Sequence, residues 1–230
     1  MFSLTPPATA GGSWTEAVIH NFTEDEGVYP IGGVVAGGDG VLYGTAAQLG
    51  PGGYGTVFSL TPPASPGGTW TETTLHGFSG PDGNFPVGLV VGQGSVLYGV
   101  TNVGGLGSGV VYSLAPPASP GGSWTYTMIH AFNGRDGAEP TAGMVIGGGG
   151  KLYGTTYIRT GETHNGGVVF ELTPPGSPGG SWTYRILHSF SGSDGANPYA
   201  ALVVGGAGVL YGTTSGGGAT NNGTVFSLAP

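Results

Sequence analysis

The sequence predicts an all-β chain folded as a four-bladed β-propeller with four antiparallel strands to each blade, and three observations lead there. Tryptophan recurs at Trp14, Trp70, Trp124 and Trp182, and a Leu-Tyr-Gly triplet begins at Leu42, Leu97, Leu152 and Leu210, so two landmarks keep one period of 54 to 58 residues. Each period parses into four short apolar segments bounded by Gly, Pro and Asp, the residues that make turns. No stretch carries the 3.6-residue apolar spacing of a helix. A sheet of four short strands cannot bury its faces alone, so neighbouring repeats must cover one another.

The strands of one blade follow in order. The first is an apolar run followed by glycine and, in three of the four copies, preceded by one: Val34-Val35-Ala36, Leu89-Val90-Val91, Met144-Val145-Ile146 and Leu202-Val203-Val204. A Gly-rich turn leads to the second, Val41 to Thr45 and its copies. The third is Thr56 to Leu60, repeated as Val110 to Leu114, Val168 to Leu172 and Thr224 to Leu228. A stiff Pro-Pro connector, Pro62 to Gly68 in the first copy, precedes the fourth strand, which runs from the Trp to a His-x-Phe, as in Trp70 to Phe78. One domain over 1–230 is expected, with repeats over 30–78, 86–132, 140–190 and 198–230, the last completed by 12–22.

That completion comes from the two ends. The sequence closes on a third-strand pattern, while Trp14 to Phe22 supplies a fourth-strand pattern near its start. Pairing the two would close the ring and remove open sheet edges, which invite aggregation. Phe2-Ser3-Leu4 then duplicates Phe226-Ser227-Leu228. The surplus strand is expected over the rim or added to another molecule's sheet, and two chains closing one eight-bladed ring is a further arrangement.

Composition narrows the partners. Only 7% of residues are charged and the net charge is −8, so there is no basic patch to replace phosphate counterions and nucleic acid is not expected. The four cations, Arg135, Lys151, Arg159 and Arg185, lie in one window. There is no cysteine, hence no thiolate chemistry. No apolar run reaches the 18 or so residues of a membrane helix, and Met1-Phe2-Ser3-Leu4 shows neither the basic nor the apolar region of a signal peptide.

Four motifs in fixed order, Leu187-His188-Ser189-Phe190, Asp194-Gly195-Ala196-Asn197-Pro198, Leu210-Tyr211-Gly212-Thr213-Thr214 and Gly223-Thr224-Val225-Phe226, resemble the GloVer tandem repeat of bacterial surface proteins. The resemblance spans essentially the whole chain. It implies an exported or cell-surface β-repeat protein and carries no known activity or catalytic residues.

Candidate chemistry comes mostly from features present in every copy. His20, His76, His130 and His188 are read as hydrogen-bonded between blades, too far apart for the three or four ligands a metal needs. Glu26, Asp82, Asp136 and Asp194 each precede Gly, a strong turn signal; the functional alternative is a carboxylate ring on one face that binds calcium or a polyol. The tryptophans offer blade packing or sugar-stacking platforms. The one irregular loop, 157–165, adds Arg159, Glu162 and His164 as ligand-binding candidates, because a unique polar loop on a rigid scaffold often carries binding. No nucleophile elbow, phosphate loop or zinc motif is present, so no metal, cofactor or catalytic residue is assigned. The function expected is a non-enzymatic, extracytoplasmic structural or interaction module, self-associating through its surplus strand. A multivalent glycan-binding protein is the alternative.

Overall fold

The computed structural model describes residues 1–65, 67–119, 121–161, 166–177 and 179–230. Its strands form five antiparallel meanders. β1 (Phe2–Thr5) pairs with β2 (Thr15–Val18) as a two-stranded ribbon. Three four-stranded sheets follow. The first holds β3 (Val35–Ala36), β4 (Leu42–Ala46), β5 (Thr56–Thr61) and β6 (Thr71–Gly77); the second holds β7 (Asn84–Val91), β8 (Leu97–Val103), β9 (Val110–Ala115) and β10 (Thr125–Ala131). The third holds β11 (Val145–Ile146), β12 (Leu152–Thr156), β13 (Val168–Thr173) and β14 (Thr183–Ser189). The last sheet has three strands, β15 (Val203–Val204), β16 (Leu210–Thr214) and β17 (Thr224–Leu228).

The repeat therefore reads as four strands where it is whole. The Gly-rich turns between first and second strands tighten into short 3-10 turns, such as Gly38–Gly40 and Gly206–Gly208. Their central residue is left-handed, at φ 54° for Asp39 and 68° for Gly149. The glycine of each Leu-Tyr-Gly triplet has a different reason. Gly44 lies opposite Phe58 and Gly154 opposite Phe170, and a Cβ on either would come within 2.5 Å of that ring. The bare backbone is the seat of the third-strand aromatic. In the Pro-rich connectors, Pro66, Pro120 and Pro178 lie outside the described residues.

The core lies between sheets. Val57 and Phe78 of the first sheet pack with Leu89, Leu97 and Tyr112 of the second. The next junctions repeat the arrangement with Val111 and Phe132 against Phe170, and with Val169 and Phe190 against Leu202 and Leu210. One Phe per junction crosses to the next sheet's third strand. Phe22 meets Phe58 at 4.8 Å between ring centres, Phe78 meets Tyr112 at 5.1 Å, Phe132 meets Phe170 at 5.4 Å and Phe190 meets Phe226 at 5.1 Å.

Ring closure is corrected. β2 pairs with β1, Leu4 opposite Glu16 and Phe2 opposite Val18, and not with β17. Among the described residues the sheets form no closed ring, and the repeat over 198–230 holds three strands, not a blade completed by 12–22. The physical reason is local. β1 carries the same Phe-Ser-Leu as β17 and is joined to β2 by a short connector, so pairing them costs far less loop-closure entropy than joining the chain's ends. The surplus strand is thus neither surplus nor over the rim. It fills the third-strand seat beside β2.

Candidate functional site: the junctions between sheets

The four acidic turns and four histidines, six residues apart in every copy, are partners. Nε2 of His20, His76, His130 and His188 lies 3.1, 2.9, 3.1 and 2.8 Å from a carboxylate oxygen of Glu26, Asp82, Asp136 and Asp194. Each carboxylate also accepts the backbone N–H three residues before it: Thr23 at 2.8 Å, Ser79 at 2.8 Å, Asn133 at 2.9 Å and Ser191 at 2.9 Å. The acid therefore organises the turn and orients the His. The imidazole stands edge-on to the Phe two residues later, at 4.7 Å for His76 and Phe78.

The next sheet then caps the pair. Tyr126, two residues after Trp124, stacks on His76 at 4.6 Å and donates its hydroxyl to the Asp82 carbonyl at 2.5 Å. Tyr184 repeats this on His130, with ring centres 4.1 Å apart and planes 3° from parallel, and donates to the Asp136 carbonyl at 2.5 Å. The sequence reading placed the histidine's hydrogen bond between blades. It lies instead with the turn that leaves the His strand, and the bond crossing between sheets is the tyrosine's. Glu72 stands at the same position in the first junction. At the last junction no described residue stands there, and a pocket of 180 Å³ opens between His188, Asp194, Phe226 and Leu228.

Electrostatics agree with a scaffold whose polar groups are already occupied. Burial lowers the His130 pKa, outweighing the opposing pull of Asp136, and so favours the neutral ring. Burial raises the pKa of Tyr126 and Tyr184, and both phenols remain donors. For Asp82 burial pushes up, but the Ser79 amide and hydroxyl and His76 together bring the carboxyl below its ordinary value. Asp194 and Glu26 are lowered in the same manner. Glu72 moves the other way, raised by burial and then by the nearby Glu26 charge.

The carboxylates expected as a calcium or polyol ring, Glu26, Asp82, Asp136 and Asp194, are each bound into their own turn and not brought together. Among the described residues no three His, Asp or Glu side chains gather closely enough to hold a metal ion. Arg159 donates from Nε to the Arg135 carbonyl at 2.6 Å and from a terminal nitrogen to Ser189 Oγ at 3.0 Å. Glu162 and His164 lie outside the described residues. Sequence reasoning missed Glu171, whose side chain is only 5% exposed and meets Lys151 at 3.1 Å and Arg185 at 3.5 Å. It also missed the Tyr126 and Tyr184 caps. In the sequence they show only as a Tyr two residues after Trp124 and Trp182, where Trp14 and Trp70 have Glu16 and Glu72, and nothing local names their partners.

The tryptophans pack across the same junctions. Trp124 stands edge-on to Tyr43 at 5.8 Å and Trp182 to Tyr98 at 5.6 Å. Beside the second of these contacts lies a groove of 370 Å³ lined by Gln93, Tyr98, Ile146, Pro174 and Trp182.

This repeated junction extends over the segment that matches the family described as the Gloeobacter/Verrucomicrobia repeat, residues 1–226. The chain belongs to that family. No curated protein matches this repeat chain. Two solved structures share its fold. One is named a "putative gluconolactonase", with TM-score 0.51 and 18% identity over 86% of this chain and 63% of its own. The other is a streptogramin B lyase, with TM-score 0.51 and 16% identity over 98% of this chain and 58% of its own. Both are β-propeller-like, and this repeat chain spans less than two thirds of either. They correct the expectation of a protein without enzymatic activity, since the fold is one on which enzymes are built. At these identities the likeness carries the fold and not those activities.

Proposed function

We propose that this member of the repeat family is an extracytoplasmic interaction module that binds through the two open ends of its series of sheets. One observation carries the reading. Val57, Val111 and Val169 are fully buried by the following sheet, whereas Val225, at the same repeat position, is 83% exposed. Phe2, Leu4, Trp14 and Val18 at the other end are also exposed. Apolar surface gathered in this way marks an interaction face. The extracytoplasmic placing is supported by the likeness to surface repeat proteins and is checked by fractionating the source cells.

The test is light scattering on the 230-residue chain across a wide concentration range, with Val225→Asp beside it. The wild type is expected to exceed the 22.7 kDa of one chain and the variant to return to it. A wild type that remains single at high concentration refutes the reading.

A second reading, glycan binding, is favoured by the groove at Trp182, whose lining combines the aromatic rings of Trp182 and Tyr98 with Gln93. A glycan array separates it: binding that Trp182→Ala abolishes while the fold survives supports it, and silence across the array excludes it.

A further inference from the structure

We infer that copies of this chain join head to tail, β17 of one copy displacing β1 of the next from the edge of β2. This rests on the interaction reading above and names its partner, a second copy.

β1 sits in a seat built for another strand. It pairs with β2 in the register that third strands use on fourth strands: Thr5 opposite Thr15 and Leu4 opposite Glu16, as Thr61 is opposite Thr71 and Leu60 opposite Glu72. β17 carries the same Phe-Ser-Leu, and among the described residues its outer edge has no partner strand. Replacing β1 by β17 puts Leu228 opposite Glu16 and Ser227 opposite Ala17, which completes a four-stranded sheet from two molecules.

The two ends are complementary in their side chains. In the two junctions between four-stranded sheets a second-strand tyrosine, lying opposite a third-strand serine, packs on the next sheet's tryptophan. Tyr43 opposite Ser59 meets Trp124, and Tyr98 opposite Ser113 meets Trp182. At the head, Trp70 and Ser3 line a vacant pocket of 450 Å³ where such a tyrosine belongs. At the tail, Tyr211 lies opposite Ser227 and is 45% exposed. One end has the tryptophan without the tyrosine, and the other has the tyrosine without the tryptophan.

A second pair of halves agrees. The pocket at His188 and Asp194 corresponds to the space filled in earlier junctions by Tyr126 and Tyr184. β2 would carry Glu16 into it, the residue type that Glu72 supplies in the first junction. Trp14, 61% exposed in this structure, would be covered by the same docking.

The exchange costs little. Phe22 stays on Phe58 of its own chain, and only β1 departs. A two-stranded ribbon in water is marginal, whereas β17 arrives as part of a three-stranded sheet, and docking covers Val225 and Tyr211 on the face of that sheet. The contact uses different surfaces on the two copies, so it propagates until the rotation closes.

The chain has no cysteine, which makes single introduced thiols unambiguous. Two variants, Ala17→Cys and Ser227→Cys, both at exposed positions, are mixed and oxidised. The expected product is a covalent pair that requires both variants. Glu16→Tyr, which supplies the cap used by the interior junctions, is expected to tighten self-association about tenfold, and so is removal of residues 1–5. Association in light scattering without the mixed disulfide overturns the head-to-tail geometry and leaves the interaction reading standing. Chains that stay single refute both. A double variant that links only within one chain shows that β17 takes its own β2, and also overturns the inference.

Discussion

Removing one hydroxyl at Tyr184 tests whether the junctions are held by the His-acid-tyrosine stack. Tyr184→Phe keeps the ring on His130 and deletes only the bond to the Asp136 carbonyl. A carbonyl left without its donor in a half-buried place costs about 1–2 kcal/mol. In a chain of this length that lowers the melting midpoint by about 2–8 °C. Tyr184→Ala also removes the contacts with His130, Phe132 and Phe170. Its loss should reach about 2–4 kcal/mol, below that of a fully buried ring because Tyr184 is partly exposed.

The pH dependence gives a second readout. His130 has a folded pKa below its unfolded value, so the fold binds the proton less well than the unfolded chain. Its stability contribution is complete above about pH 6.5 and declines as the pH falls toward the folded pKa. Tyr184→Ala opens His130 to water and relieves that penalty, so the gap between wild type and variant should narrow from pH 8 to pH 5 or so. Urea unfolding at both pH values measures this. A Tyr184→Phe variant as stable as the wild type, or a gap that widens on acidification, refutes the reasoning.

Three other predictions follow from neighbouring positions. Tyr112, where the other copies have Phe, buries a hydroxyl without a hydrogen-bond partner; Tyr112→Phe should raise stability by about 1 kcal/mol in denaturant titration. Glu72→Tyr should stack on His20 and donate toward the Glu26 carbonyl, stabilising by about 1–2 kcal/mol. Glu72 has a raised folded pKa, so its penalty is absent below the unfolded carboxylate pKa and grows as pH rises through the folded one; the gain from the variant should therefore be smaller in acid. Asp82, Asp194, Glu26 and Glu171 have lowered folded pKa values, so the stability they add is present above about pH 4 and lost as the pH falls below it. Asp82→Asn should flatten that acid limb in pH-jump unfolding.

Much of the scaffold is written locally. The period of Trp and Leu-Tyr-Gly, the alternation within each segment and the turn residues between them determine four strands per repeat, because each is a property of a few neighbouring residues. The spacing of six between His76 and Asp82 is kept in all four copies, but the sequence pointed to a histidine bonded between blades, and the fold showed that it bonds within its own turn. The tyrosine caps were not legible, because Tyr126 reaches Asp82 across 44 residues and the pair meets only when two sheets pack. The destination of β1 was likewise undecided in the sequence. Phe2-Ser3-Leu4 and Phe226-Ser227-Leu228 are the same strand to any local rule, and both fit beside Trp14. Only the tertiary structure chose between them, placing β1 on β2 because that partner is near in the chain and leaving β17 with an open edge. The sequence by itself determined what a blade is made of; the packed sheets decided which strands complete one, since that depends on loop-closure entropy and on which faces find a neighbour.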